Sequence, residues 1–453
     1  MSSINSNLIN SIKEDGNNYL LIGTQNGFYK FNKVTGSFEL LKIYPERKTP
    51  ESVLTFEKDR SGVIWISMYN IGLQKIYEQT HSFGNYLPGN NVKCFYETND
   101  GLFYIGTSNG LEVMDEKGIN IKTILPVKNN KNSLSNNRIN SVTGDKDGNL
   151  WIGTSNGLNK INMENNVFTV FFNDPKDENS LASNNVLKVL NDKSGTLWIG
   201  TDQGLSRLIP GTEKFINYRN NENDVNSLSE NTILSIYEDR NNSLWIGTYK
   251  GLNKIDRETG KFIHYKQDPG NSKTISNNYV YSFCEDSFGN FWIGTGGGLN
   301  AFDRNSGTFF HFTEKEGLPN SVIAGIEEDE NGFLWISTLK GISKFDIKNR
   351  NFRNYDGGDG LQSNVFNTGS YFKSSNGEIL FGGINGYNKF APENIIQNSF
   401  TSNIILTSLT KYEDKIITEK DISFDENIDL NYKENVIKIK FASTDYSHPD
   451  KIK

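Results

Sequence analysis

The sequence predicts an all-β protein, a β-propeller of four-stranded blades followed by part of a β-sandwich, and three observations carry that prediction. One strand-rich unit recurs nine times, all six tryptophans fall at one position of that unit, and residues 401–453 switch to an unrelated strand pattern. Self-similarity at a fixed period, with short strands and glycine-rich turns, is the mark of a propeller.

The unit is clearest as GNLWIGTSNGLNKIN (Gly148 to Asn162), GTLWIGTDQGLSRLI (Gly195 to Ile209), NSLWIGTYKGLNKID (Asn242 to Asp256) and GNFWIGTGGGLNAFD (Gly289 to Asp303). Looser copies put Leu21, Trp65, Tyr104, Trp335 and Leu380 at the tryptophan position. Successive copies stand 44, 39, 47, 47, 47, 47, 43 and 45 residues apart, close to the period of a four-stranded blade. Within a period, strand A ends in acidic residues, strand B is Leu-Trp-Ile-Gly-Thr, strand C is Gly-Leu-Asn-Lys-Ile, and strand D is a short aromatic segment such as 215–218 or 262–265. Asp-x-x-Gly, as in Asp192 to Gly195 and Asp329 to Gly332, makes the A–B hairpin, with Asp capping the backbone and Gly taking positive φ. Asn156-Gly157 is a tight B–C turn and Thr259-Gly260 a C–D turn. A bulky residue in every strand B reads as a wedge between blades rather than a ligand cage, because equivalent blade positions meet equivalent packing.

The ends of the array matter because a propeller has to hide its first and last edges. The ninth copy, 360–395, lacks a strand D, and residues 1–7 are too short and polar to supply one. Residues 81–86 do read as a strand D, where the short 39-residue step falls. The preferred reading is a seven-bladed ring over 81–396, with the two repeats in 1–80 left from a preceding propeller. The alternative is one nine-bladed ring. In 401–453, Ile437, Ile439 and Phe441 alternate with Lys438 and Lys440, a half-buried strand of an incomplete sandwich.

The net charge of -7 argues against nucleic acid as a partner. No run of 18 apolar residues is present, so no membrane helix is expected, and the first sixteen residues carry neither the basic start nor the apolar core of a signal peptide. Cys94 and Cys284 lie in different repeats inside apolar strands and read as buried thiols.

At this point a family is recognisable. The Leu-Trp-Ile-Gly-Thr and Gly-Leu-Asn-Lys-Ile-Asp units resemble the two-component-regulator propeller repeat. The tail, with Asn431-Tyr432-Lys433, then Phe441-Ala442-Ser443-Thr444-Asp445-Tyr446 and Pro449, is similar to the start of the three-Y immunoglobulin-like domain that follows such propellers. The resemblance implies the periplasmic or cell-surface sensor region of a hybrid two-component or diguanylate cyclase receptor. It further implies a small polar ligand such as an oligosaccharide, membrane-anchored signalling domains beyond this chain, and a homodimer formed through the three-Y domain.

No nucleotide loop, zinc spacing, nucleophile elbow or kinase signature is present, and neither a cofactor nor a metal is expected. The glycine run 294–298 is a B–C turn with no helix behind it, and Asp145-Lys146-Asp147-Gly148-Asn149 lacks the closing Glu of a calcium loop. His264 and His311 sit in outer strands D and read as rim residues, His81 starts another such strand, and His448 lies in the tail. Because no histidine falls on a strand A, a lyase of the streptogramin-lyase type is the disfavoured alternative. A protein-docking propeller is the other alternative, which fold alone does not separate from a sensor. Strand direction places the D–A and B–C loops on one face and the short, near-invariant A–B and C–D turns on the other. Variation on the first face nominates Arg138, Asn185, Thr232 and Tyr279 at the start of strands A, and Asn156, Gln203, Tyr249, Lys250 and Lys340 on B–C turns, as ligand-binding candidates. Arg257, on a C–D turn, serves as the opposite-face comparison.

Overall fold

The computed structural model describes residues 8–41, 43, 51–59, 62–77, 83–130, 132–395, 404–413, 416–423, 427–428, 430 and 436–443. His81, His448 and the tail residues 431–433, 444–446 and 449 lie outside them. The chain divides into two units, one of residues 81–395 and one of 1–80 with 396–453.

The larger unit holds seven four-stranded antiparallel sheets, here blades 1 to 7, over residues 92–124, 139–171, 186–218, 233–265, 280–312, 323–355 and 366–390. Blade 4 shows the pattern: strand A Ile233–Glu238, strand B Leu244–Thr248, strand C Gly251–Ile255 and strand D Phe262–Tyr265, paired in sequence order. Blade 7 has only three consecutive strands, and its fourth is Gly84–Tyr86, whose Lys389↔Gly84 and Tyr387↔Tyr86 pairs join the two ends of the unit.

Each strand-B aromatic packs into the next blade. Trp151 lies against Val186, Leu197 and Phe215 of blade 3, Trp198 against Ile233, Leu244 and Phe262 of blade 4, and Trp335 against Phe366, Ile379 and Phe381 of blade 7. Tyr104 does the same between blades 1 and 2. Leu380, at the tryptophan position of blade 7, meets Val92, Phe103 and Ile105 of blade 1, so the cycle of interfaces closes on itself. The burial of one large side chain per junction makes each interface a separate small core.

The turns are locked by residues of the repeat itself. Asp239 Oδ1 accepts the backbone N–H groups of Asn241 and Ser243, while its Oδ2 accepts the indole N–H of Trp245 at 2.9 Å. The same indole bond joins Trp151 to Asp145, Trp198 to Asp192, Trp292 to Asp286 and Trp335 to Asp329. The hairpin aspartate is therefore also the partner that lets a tryptophan N–H be buried without loss. In the B–C turn the threonine hydroxyl, fully buried, donates to the carbonyl three residues on and accepts the N–H two residues on, as at Thr248.

In the smaller unit, one four-stranded and one three-stranded sheet share a core of Leu21, Phe28, Val53, Phe56, Ile64 and Ile66. Trp65 again donates to a hairpin aspartate, Asp59. Strands Ile404–Glu413, Ile416–Asp421 and Val436–Ser443 form a three-stranded sheet on which Ile437, Ile439 and Phe441 are all exposed. Both cysteines are free and buried.

Candidate ligand-binding face

The face carrying the D–A and B–C loops is built on a frame that the repeat dictates. The D–A loops of blades 3 to 5 differ in sequence but share one hydrogen-bond scheme. Asn173, Asn220 and Gln267 N–H groups bond the side chains of Asn184, Asn231 and Asn278. Ser180, Ser227 and Thr274 hydroxyls bond carbonyls within the same loops. Leu181, Leu228 and Ile275 from these loops are buried. The strand-C asparagines hold the loop ends: Asn159, Asn253 and Asn300 accept the N–H groups of Ser135, Ser229 and Ser276. The sequence variation of these loops therefore decorates a shared hydrogen-bond frame.

His264 and His311 belong to this frame. Their Nε2 atoms contact the Ser227 and Thr274 carbonyl oxygens at 2.7 and 2.5 Å, as Asn217 and Asn354 do for Ser180 and Gly317. They tie each D–A loop to the outer strand of the blade it leads into. Burial, partly offset by the Ser227 bond, holds the His264 pKa below its ordinary value.

The nominated residues fall at blade junctions. The N–H of Gly251 in the blade 4 turn donates to Asn278 O at the start of blade 5, and this brings Tyr249 and Tyr279 together with ring centroids 5.1 Å apart at 80°. They are 43% and 47% exposed, so a pair of bulky rings stands in solvent where packing alone would hide it. Lys250 is exposed beside them. The blade 5 turn that follows is Gly296-Gly297, tied to Tyr279 through Gly296 N–H to Tyr279 O, and it leaves no side chain over the rings. A Cβ at Gly297 would lie 2.9 Å from Asn277 Cβ and 3.0 Å from the Ser276 carbonyl oxygen, so a side chain there would require the loop end to shift.

The Gly157 N–H to Asn184 O bond likewise ties the turn carrying exposed Asn156 to the segment carrying Asn185. Asn185 Nδ2 donates to Asp202 Oδ2 at 3.0 Å, and Asp202 Oδ1 is buried without a partner. Thr232 is half-buried, and its N–H is taken by Glu230. Gln203, Lys340 and Arg138 are exposed at the ends of their loops.

The opposite face is clasped by charge. Glu238, Glu285 and Glu328 accept turn N–H groups from the preceding blades at Lys193, Arg240 and Ser287. Glu97 does so for Ser375 and closes the last junction. Arg257 bridges Asp192 and Glu238 with both bonds at 2.7 Å, and Arg304 bridges Asp239 and Glu285. Arg257 is thus a strut between blades 3 and 4 and no neutral comparison for ligand binding; exposed Glu258 on the same turn serves instead. Asp145 has both carboxylate oxygens engaged by Asn149, Trp151 and turn N–H groups.

The family model for the two component regulator propeller matches residues 86–109, 133–156, 180–203, 227–250, 274–297 and 317–340. Each match runs from a D–A loop to a B–C turn and so spans the frame just described. No curated protein matches the chain. Among solved structures, the extracellular domain assigned to the hybrid two component system BT3049 of B. thetaiotaomicron is similar at 24% identity, covering 99% of this chain and 77% of that one, with a TM-score of 0.38. The extracellular domain assigned to the one component system BT4673 of the same organism is 21% identical, covers 94% and 72%, and has a TM-score of 0.37. YCF48 from Cyanidioschyzon merolae is 12% identical, covers 69% and 100%, and has a TM-score of 0.50. The six matched segments, each carrying the frame just described, are therefore two component regulator propeller repeats.

Proposed function

We propose that the chain is the ligand-sensing, extracytoplasmic region of a two-component-type signalling receptor, and that the D–A/B–C face of the ring binds a polar ligand of the oligosaccharide class. The observation that carries the reading is the exposed Tyr249–Tyr279 pair beside the side-chain-free Gly296-Gly297 turn. Aromatic rings in solvent, rimmed by amide and cationic groups, are what a sugar ring stacks on. The repeats belong to the two component regulator kind, which supports a signalling context. Among the described residues no helix is long and apolar enough to cross a membrane. His264 and His311 are engaged with loop carbonyls, which weighs against a role as lyase base.

The test is a thermal-shift screen of oligosaccharides on the full chain, where a ligand at 100 times its Kd adds about 2.7 kcal/mol of stability. Tyr249→Ala and Tyr279→Ala are expected to weaken the hit about tenfold or more, Arg138→Ala less, and Glu258→Ala on the other face not at all. A hit weakened by Glu258→Ala and indifferent to both tyrosines would place recognition elsewhere.

A further inference from the structure

Strand A of blade 7 is longer than its counterparts, and the extra length goes to the middle of the ring. In blade 6, Ile323 to Ile326 spans the same strand-B interval, Thr338 to Ile336, that Phe366 to Tyr371 spans opposite Gly383 to Phe381 in blade 7. Asn367 matches Asn140, each donating its amide to the next blade, at Val92 O and Val186 O. Ser370 matches Ser235 in the same way. Thr368 and Gly369 are therefore the insertion, and Gly369 takes φ +72°.

Residues from distant blades converge on this insertion. Lys188 of blade 3 donates to Gly369 O at 3.1 Å, and Lys93 of blade 1 donates to Asn367 Oδ1 at 3.1 Å. A Cβ at Gly369 would lie 3.9 Å from the carbonyl oxygen of Tyr281 in blade 5, two residues from Tyr279. Thr368 itself is exposed.

The two ammonium groups bond only neutral oxygens here, and among the described residues Lys93, Lys188 and nearby Arg138 form no ion pair. Burial above all holds both lysines below the ordinary lysine value; buried Cys94 opposes it at both, while Arg138 adds to it at Lys93 and Lys93 adds to it at Lys188. Lys188 also breaks the repeat: Ser141, Ser235, Ser282 and Ser370 occupy its position in blades 2, 4, 5 and 7. A half-buried cation without a counter-charge is costly, and three neighbouring cations concentrate positive potential.

We infer that Lys93 and Lys188, which bond the inserted segment, together with Arg138 beside Lys93, form a subsite for an acidic group, a carboxylate or sulfate, of the ligand, which is therefore an acidic oligosaccharide. The inference rests on the reading of this face as ligand-binding. The missing counter-charge comes from the ligand, while the tyrosine pair takes a sugar ring.

Isothermal titration of the full chain with trigalacturonate, a sulfated chondroitin disaccharide, neutral maltotriose and inorganic sulfate, at 50 and 300 mM NaCl, tests it. An acidic sugar is expected to bind, to weaken at the higher salt, and to lose tenfold or more in affinity on Lys93→Met or Lys188→Met; which acidic probe binds distinguishes carboxylate from sulfate. Lys188→Met is expected to raise the Tm, because it removes an uncompensated charge. Three results overturn the subsite: no acidic probe binding, acidic binding indifferent to both lysine changes, or a lowered Tm in Lys188→Met with no loss of affinity, which makes the lysine a mere anchor for the insertion. If maltotriose binds and is lost on Tyr279→Ala but not on the lysine changes, the acidic subsite fails while the face stands. If no probe responds to the tyrosine changes either, the face fails too.

Discussion

Asp239 accepts hydrogen bonds from Asn241, Ser243, Trp245 and Arg304, and its ionisation shows how one repeat residue bears on stability. Burial raises its pKa, but the bonds from Trp245, Ser243 and Arg304 together outweigh it and hold the carboxyl below the usual range. Asp145 and Asp192 show the same balance. A carboxyl with a lowered folded pKa contributes stability above its unfolded value near 3.9 and loses it as pH falls through the folded value. Glu327 on strand A of blade 6 behaves oppositely: burial pushes it up to about 8, with Lys373 pulling it back only in part. Its protonated form is favoured in the fold, so its penalty grows as pH rises from the unfolded value near 4.3 towards 8. Glu327→Gln should therefore raise the Tm at pH 8.5 and leave it nearly unchanged at pH 4, as followed by circular dichroism. An equal shift at both pH values would show that the effect is packing, not ionisation.

At the scale of strands and loops, most of the blade was legible from residue types. The strand-B tryptophan read as an inter-blade wedge, and it packs as one. The turns were legible because Asp, Asn and Gly carry their own backbone preferences. What the sequence did not show was which bonds cross between repeats. The aspartate six residues before each tryptophan looks like a turn cap, and its indole bond appears only when the hairpin is folded. The Glu238 and Arg257 clasps join residues 45 and 65 positions apart, a separation no local pattern marks. The two strand-D histidines read as rim decoration, and their hold on a loop carbonyl depends on where the loop lies back along its own blade. Of the nominated face residues, the structure joins Tyr249 to Tyr279, while Lys93 and Lys188 escaped notice because a lysine in a strand ordinarily points to water. The signal that could have found Lys188 is its break of a serine column. Deleting Thr368 and Gly369 would restore strand A to the length of the others. The ring is expected to keep its cooperative melt, because the strand-A bonds of Asn367 and Ser370 to Val92 do not need the insertion. Loss of the folded state would show instead that the insertion is part of the core.

Closure of the ring is the property of the whole molecule on which everything else depends. Seven blades in a row would leave the inner face of blade 1 and the outer edge of blade 7 open, and both are finished by contacts between residues some three hundred positions apart. The closing strand, Gly84–Tyr86, is only three residues long, too little backbone pairing to hold by itself. Side chains make up the difference. Tyr86 stacks on Tyr387 at 5.1 Å. Phe83 is 3% exposed and packs edge-on to Phe390 at 4.9 Å and Tyr355 at 5.2 Å, with Trp335 behind them. Phe83 thus anchors the seam within the core that blades 6 and 7 share. Truncating a fully buried phenylalanine costs about 3–5 kcal/mol, and here the cavity would sit at the junction that converts an open array into a ring. Phe83→Ala is expected to lower the denaturation free energy by about that amount. It should also raise amide exchange across Gly386–Phe390, the strand that loses its partner, ahead of the exchange of blade 4. A loss below about 1 kcal/mol, the ordinary size of a surface change, with exchange at Gly386–Phe390 unaltered, would mean that closure is carried by the Glu97–Ser375 clasp and the Leu380 interface rather than by the borrowed strand.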